Sequence, residues 1–66
     1  MKKKEILALL GTVVYKAGVP YRVVRVAPDK LIPMVYIAPV GSHTLDSTEV
    51  LNPANIVQEV GKWVVR

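Results

Sequence analysis

Six side chains in this sequence are of the types that hold a polyanion: Lys16, Tyr21, Arg22, Arg25, Tyr36 and Lys62. Lysine and arginine contact phosphates, and unpaired bases stack on aromatic rings and guanidinium planes. Four of the six fall in the stretch Tyr15-Lys16-Ala17-Gly18-Val19-Pro20-Tyr21-Arg22-Val23-Val24-Arg25-Val26. That stretch also reads as a β-hairpin, because β-branched runs at 12–16 and 21–26 flank the turn residues Ala17-Gly18-Val19-Pro20.

A four-residue loop puts Lys16 opposite Tyr21, Tyr15 opposite Arg22, Val14 opposite Val23 and Val13 opposite Val24. Alternation along each strand then sorts the side chains into two faces. Val13, Tyr15, Arg22, Val24 and Val26 form the more apolar face, expected to meet the core. Thr12, Lys16, Tyr21 and Arg25, with Val14 and Val23, form the other. It is expected to present Lys16, Tyr21 and Arg25 to water, joined by Tyr36 if the third strand pairs with the second. A slip of one residue exchanges the two faces.

Other chemistry finds little support. Ser42, His43 and Asp46 lie close in sequence, but a nucleophilic relay needs a base behind the nucleophile and a third group behind the base. Neighbours on one loop read as a solvated turn. The carboxylates Asp29, Asp46, Glu49 and Glu59 show no catalytic spacing. The four glycines are isolated, so no phosphate-cradling loop is present. With one histidine and no cysteine, no metal site and no cofactor are expected. The sequence reads as non-enzymatic.

The elements that position these residues must fit into 66 residues, enough for one domain. The N-terminal part, residues 2–10, reads as a short helix with Ile6, Leu7, Leu9 and Leu10 on its apolar side and Gly11 as its C-terminal cap. Residues 12–66 read as β structure. Strands are expected at 12–16, 21–26 and 34–38, with a short edge strand over 45–50. A loop with Pro28 and Pro33 separates the second and third. Asn52-Pro53 starts a single helical turn near residues 53–55. Ile56–Val60 and Lys62–Arg66 follow as β structure, with Gly61 as a bulge or kink. Trp63 is expected to anchor the core.

The stretch Leu51-Asn52-Pro53-Ala54-Asn55-Ile56-Val57 resembles the proline–small–asparagine–aromatic–valine segment that precedes the last strand of SH3 domains. The resemblance implies a mainly β fold, a small SH3-like barrel of about five strands over residues 12–66. Ile56 stands where that family has its aromatic ligand residue, and the acidic loop and paired tryptophans are missing. The topology is therefore carried over, and the ligand site is not.

The formal charge is +4, of which Lys2, Lys3 and Lys4 supply three, so the rest of the chain carries about +1. The lysines and the apolar run 6–14 resemble the start of a signal peptide, but the run is short, and Tyr15 is poorly placed for cleavage after Ala17. The run reads as part of the fold, too short to span a membrane, and the protein as cytoplasmic. The hydrophobic fraction, 52%, is high for so small a chain and points to self-association. The expected function is nucleic-acid binding, to DNA or RNA, through the basic and aromatic sheet face. The alternative is a protein-interaction or oligomerisation module. The size and charge resemble small regulators of phages, plasmids or archaeal chromosomes.

Overall fold

Helix formers at the start of the chain give a short helix, whose C-cap is Leu9, two residues before Gly11. The computed structural model describes residues 2–41 and 48–66. Helix α1 spans Lys3–Ala8. The Glu5 carboxylate accepts a hydrogen bond of 3.0 Å from the Lys2 amide and sets a negative charge at the positive end of the helix. At the other end the Thr12 amide and hydroxyl both donate to the Leu9 carbonyl, at 2.9 and 2.6 Å. Gly11 takes φ +83°, a conformation open to glycine at little steric cost. Ile6 and Leu9 point inward and are buried.

Strands β1 (Val13–Lys16) and β2 (Val19–Ala27) form the expected hairpin in a different register. Lys16 lies opposite Val19, Val14 opposite Tyr21 and Val13 opposite Arg22. The loop is two residues, not four. Ala17 and Gly18 have φ +52° and +79°, as a type I′ turn requires. The twist of that turn matches the twist of the strands it joins. Pro20 is thereby drawn into β2, where its carbonyl accepts from the Val40 amide at 3.2 Å.

The buried face is the one expected to be wet. Val14 and Val23 are buried and Tyr21 packs against them, while Val24 is exposed. The whole sheet decides this, not the hairpin. The face with Val14 and Val23 also collects Val35, Ile37 and Ile56, and α1 adds Ile6 and Leu9 to it. Each such aliphatic side chain contributes about 1.5–3 kcal/mol on burial. The opposite face would have to bury Arg22.

Strand β3 (Met34–Pro39) pairs antiparallel with β2. Val23 is opposite Ile37 and Arg25 is opposite Tyr36, so Val24 is an extra residue, a β-bulge. The bulge resets the alternation. Val24 and Arg25 both face water, and Val26 returns to the core opposite Val35. Strand β4 (Glu49–Leu51) adds to β3. The part of the expected edge strand at residues 45–47 lies outside the described residues, as do Ser42, His43 and Asp46.

A 3₁₀ turn over Pro53–Asn55 follows, started by Asn52, whose side-chain oxygen accepts from the Ala54 amide at 2.9 Å. Strands β5 (Ile56–Glu59) and β6 (Lys62–Val65) form a second hairpin. Gly61 belongs to its two-residue turn with Val60, at φ +77° and +47°, and is not a bulge. Strand β6 lies beside β1 in parallel, Val14 with Trp63 and Tyr15 with Val64. Trp63 packs against the core.

The fold is mainly β, a six-stranded mixed sheet in the order β4-β3-β2-β1-β6-β5. The expected SH3-like barrel of about five strands is met only in part: there are six strands among the described residues, and the sheet is not closed, with ends at β4 and β5. Those ends are nevertheless close. A flat sheet would hold them about 24 Å apart, at about 4.8 Å per strand. The chain from Leu51 to Ile56 reaches at most about 18 Å, and less when part of it is helical. The sheet must therefore curl. Its concave side is the core, closed over by α1.

Val60 is fully exposed and β-branched at positive φ, a conformation that costs about 1–2 kcal/mol for an L-residue. We expect Val60→Asn to raise stability by about 1 kcal/mol, because asparagine suits the first position of a type I′ turn. Urea unfolding of the two proteins checks this. A variant no more stable than the parent would mean that the turn is not type I′.

Candidate nucleic-acid interface

The register and the bulge divide the six candidate residues between the two sides of the sheet. Lys16 and Tyr21 share the inner face with Val14 and Val23. Tyr21 is half-buried against the core, so it is not a stacking platform. Lys16 sits at the rim, where its ammonium pairs with Glu49 of β4. Arg22, Arg25, Tyr36 and Lys62 are on the outer face. Tyr15, left out of the candidate set by its expected place in the core, joins them. The ring and two cations expected to share the water-facing side are split: of the three, only Arg25 faces water there.

The outer face has its own order. Arg25 and Tyr36 are cross-strand partners, and the guanidinium lies 5.5 Å from the centre of the ring. Lys62 and Tyr15 form a second such pair across β6 and β1, at 5.2 Å. Arg22 is in line with Val13, between these two pairs. One of its nitrogens donates to the Gly11 carbonyl at 3.0 Å. A guanidinium has five donors, so most remain for a ligand. Val13 opposite Arg22, with Val14 beside Trp63, sets Lys62 two strands from Arg22, at least about 10 Å away. Arg25 is the next outward cation along β2.

Beside Arg25 the bulge opens a depression of about 380 Å³, lined by Val24, Arg25, Tyr36 and Thr48. It combines an aromatic face, a guanidinium and a hydroxyl. Such a set can stack a flat ring and bond its edge. The sequence carried a signal for this site. Arg22 and Arg25 have opposite parity, so both reach water from one strand only if a residue is inserted between them.

Charge is also segregated. Among the described residues each carboxylate is engaged: Glu5 by the Lys2 amide, Asp29 by Lys3 at 2.7 Å, Glu49 by Lys16 and Glu59 by Arg66. Arg22, Arg25 and Lys62 have no carboxylate partner among them. Glu59, opposite Lys62, is the acid at the rim of this face. Among the described residues no three His, Asp or Glu side chains gather into a set that would hold a metal ion.

No family model matches this chain, and no curated protein or solved structure was found to be similar to it. The site therefore stands on its own geometry.

The Lys16–Glu49 pair crosses from β1 to β4 on the inner side. The hydrogen bond to Glu49 holds the Lys16 pKa above its ordinary 10.5, with partial desolvation pulling the other way. A folded-state pKa above the unfolded one gives a contribution that is fully present below 10.5 and lost as the pH rises through the folded value. Lys16→Met should therefore unfold at lower urea than the parent at neutral pH. The gap between the two should narrow as the pH passes 10.5. A gap that stays constant across that range would show that the pair does not clasp the sheet.

Proposed function

We propose that this protein binds single-stranded nucleic acid on the outer face of its sheet. The observation that carries the reading is the placement of Arg22, Arg25 and Lys62 with Tyr15 and Tyr36 on one side, the cations free of carboxylate partners among the described residues, with the depression at the bulge beside Arg25 and Tyr36. Arg22, Arg25 and Lys62 contact phosphates. A base enters beside Val24 and stacks on Tyr36. The single-stranded form is favoured because Tyr15 and Tyr36 are half-exposed on this face and rings stack only on unpaired bases. The one α-helix among the described residues has six residues, and its inner side is core, so it is unsuited to a major groove. The reading places the protein inside the cell, where such strands are.

Exposed Val24 and Val50 near the same depression favour a second reading, in which this face joins two copies of the chain.

Fluorescence titration of a labelled single strand at several salt concentrations separates the two. Three phosphate contacts give a slope of log K on log salt near about −2. Tyr36→Ala should weaken binding about tenfold, as loss of one stacked base does. Lys62→Ala should flatten the salt slope by about 0.7. Absence of binding at low salt, with a dimer seen by light scattering that Val24→Asp dissociates, would replace this reading by the second.

A further inference from the structure

The loop between β2 and β3 exposes its apolar residues instead of hiding them. Leu31 is 100% exposed and Ile32 66%. They contribute almost nothing to the core, and water gains nothing from them. Pro28 and Pro33 bracket the tip and limit its backbone freedom, so the pair is held out in a restricted set of conformations. An ion pair of 2.7 Å between Lys3 and Asp29 ties this loop to α1. Lys3 and Leu7 are four residues apart on one stripe of the helix, and Leu7 and Leu10 are both about half exposed. The junction thus gathers apolar side chains from two elements. Lys2 and Lys4 flank Lys3 in sequence and Lys30 adjoins Leu31, and none of the three has a carboxylate partner among the described residues.

From this arrangement we infer that the end of the molecule formed by residues 28–33 and α1 docks on an anionic phospholipid surface. Leu31 and Ile32 enter the interfacial layer, and the lysines meet the headgroup phosphates. Apolar side chains ringed by lysine are complementary to a bilayer surface, which offers acyl chains beneath a diffuse negative layer. A nucleic acid would leave Leu31 and Ile32 in water, since this tip carries no aromatic ring to stack. Attachment of this kind needs no spanning segment, and among the described residues no helix is long and apolar enough to cross a membrane. The site shares no residue with the sheet face proposed above.

Co-sedimentation of the full chain with phosphatidylglycerol–phosphatidylcholine vesicles, and with phosphatidylcholine alone, tests the inference. The protein should pellet with the anionic vesicles and at least tenfold less with the neutral ones. Leu31→Ser/Ile32→Ser should lose at least tenfold of the anionic binding while keeping its thermal midpoint, because both residues are exposed. Tyr36→Ala should keep it. Failure to pellet with anionic vesicles overturns the inference. So does pelleting that the double variant leaves unchanged, which would be adsorption of a basic protein without insertion. So does a dimer that the double variant dissociates in the absence of vesicle binding, which would make a second copy the occupant.

Discussion

The extra residue in β2 sets the outer surface of this protein. Without it, strict alternation from Val23 would turn Arg25 inward and Val26 outward. A guanidinium would then displace an aliphatic side chain opposite Val35, inside a core cluster of seven buried residues among those described. An unpaired buried charge costs several kcal/mol, a large share of the stability of a chain this size. With the bulge, Val26 stays inside and Arg25 reaches water beside Tyr36. The same local irregularity preserves the core, places a cation over a ring and opens the depression next to it. Core and candidate site are therefore set by one backbone feature.

Curvature adds a second constraint. Strand β4 ends at Leu51 and β5 begins at Ile56, at opposite ends of the sheet order. The intervening residues, tightened by the Pro53–Asn55 turn, bring the ends together. The Arg66 amide donates to the Asn55 carbonyl at 2.6 Å and fixes the last strand to that turn. Lys16 and Glu49 link β1 to β4 across two strands. A curled sheet has a small concave side and a large convex one. The concave side can be filled by a handful of valines, isoleucines and leucines. The convex side then spreads its side chains apart, Lys62, Arg22 and Arg25 among them.

Local chemistry made most of the elements legible. The β-branched runs, the Asn52-Pro53 start signal and the glycine after the helix each have a local cause and fell near their expected places. Register and facing are not local. Ala17-Gly18 makes a type I′ turn without the asparagine or aspartate that advertises one, and Pro20 reads as a loop residue although β2 includes it. Both errors lengthened the loop. The facing error arose from weighing one hairpin alone, where Val13, Tyr15 and Val24 outweigh Val14 and Val23. Burial is settled over six strands and a helix, and there the valines and isoleucines at 14, 23, 35, 37 and 56 prevail. Half of the candidate set shifted meaning as a result. Lys16 became a clasp, Tyr21 a core wall, and Arg22, expected on the core-facing side, joined Arg25, Tyr36 and Lys62 on the outer surface. The parallel neighbour of β1 could not be read at all, since nothing in a short strand declares which distant strand it will meet.

The two cation–tyrosine pairs on the convex side suggest how a free and a bound surface can share the same residues. In the free protein Arg25 covers Tyr36, and Lys62 covers Tyr15, so neither ring presents a bare apolar face to water. At an exposed site such a pair is worth about 0.5–1 kcal/mol. A base stacked on the same ring is worth about 1–3 kcal/mol. If a strand binds as proposed, a base would therefore outcompete the cation for the ring. The displaced cation is not lost, because arginine and lysine have flexible stems and can turn to the phosphate that arrives with the base. Under the proposed binding the exchange would give stacking and phosphate contact together at the expense of the weaker intramolecular pair. The rings would then be available only when a strand is present to replace their cover.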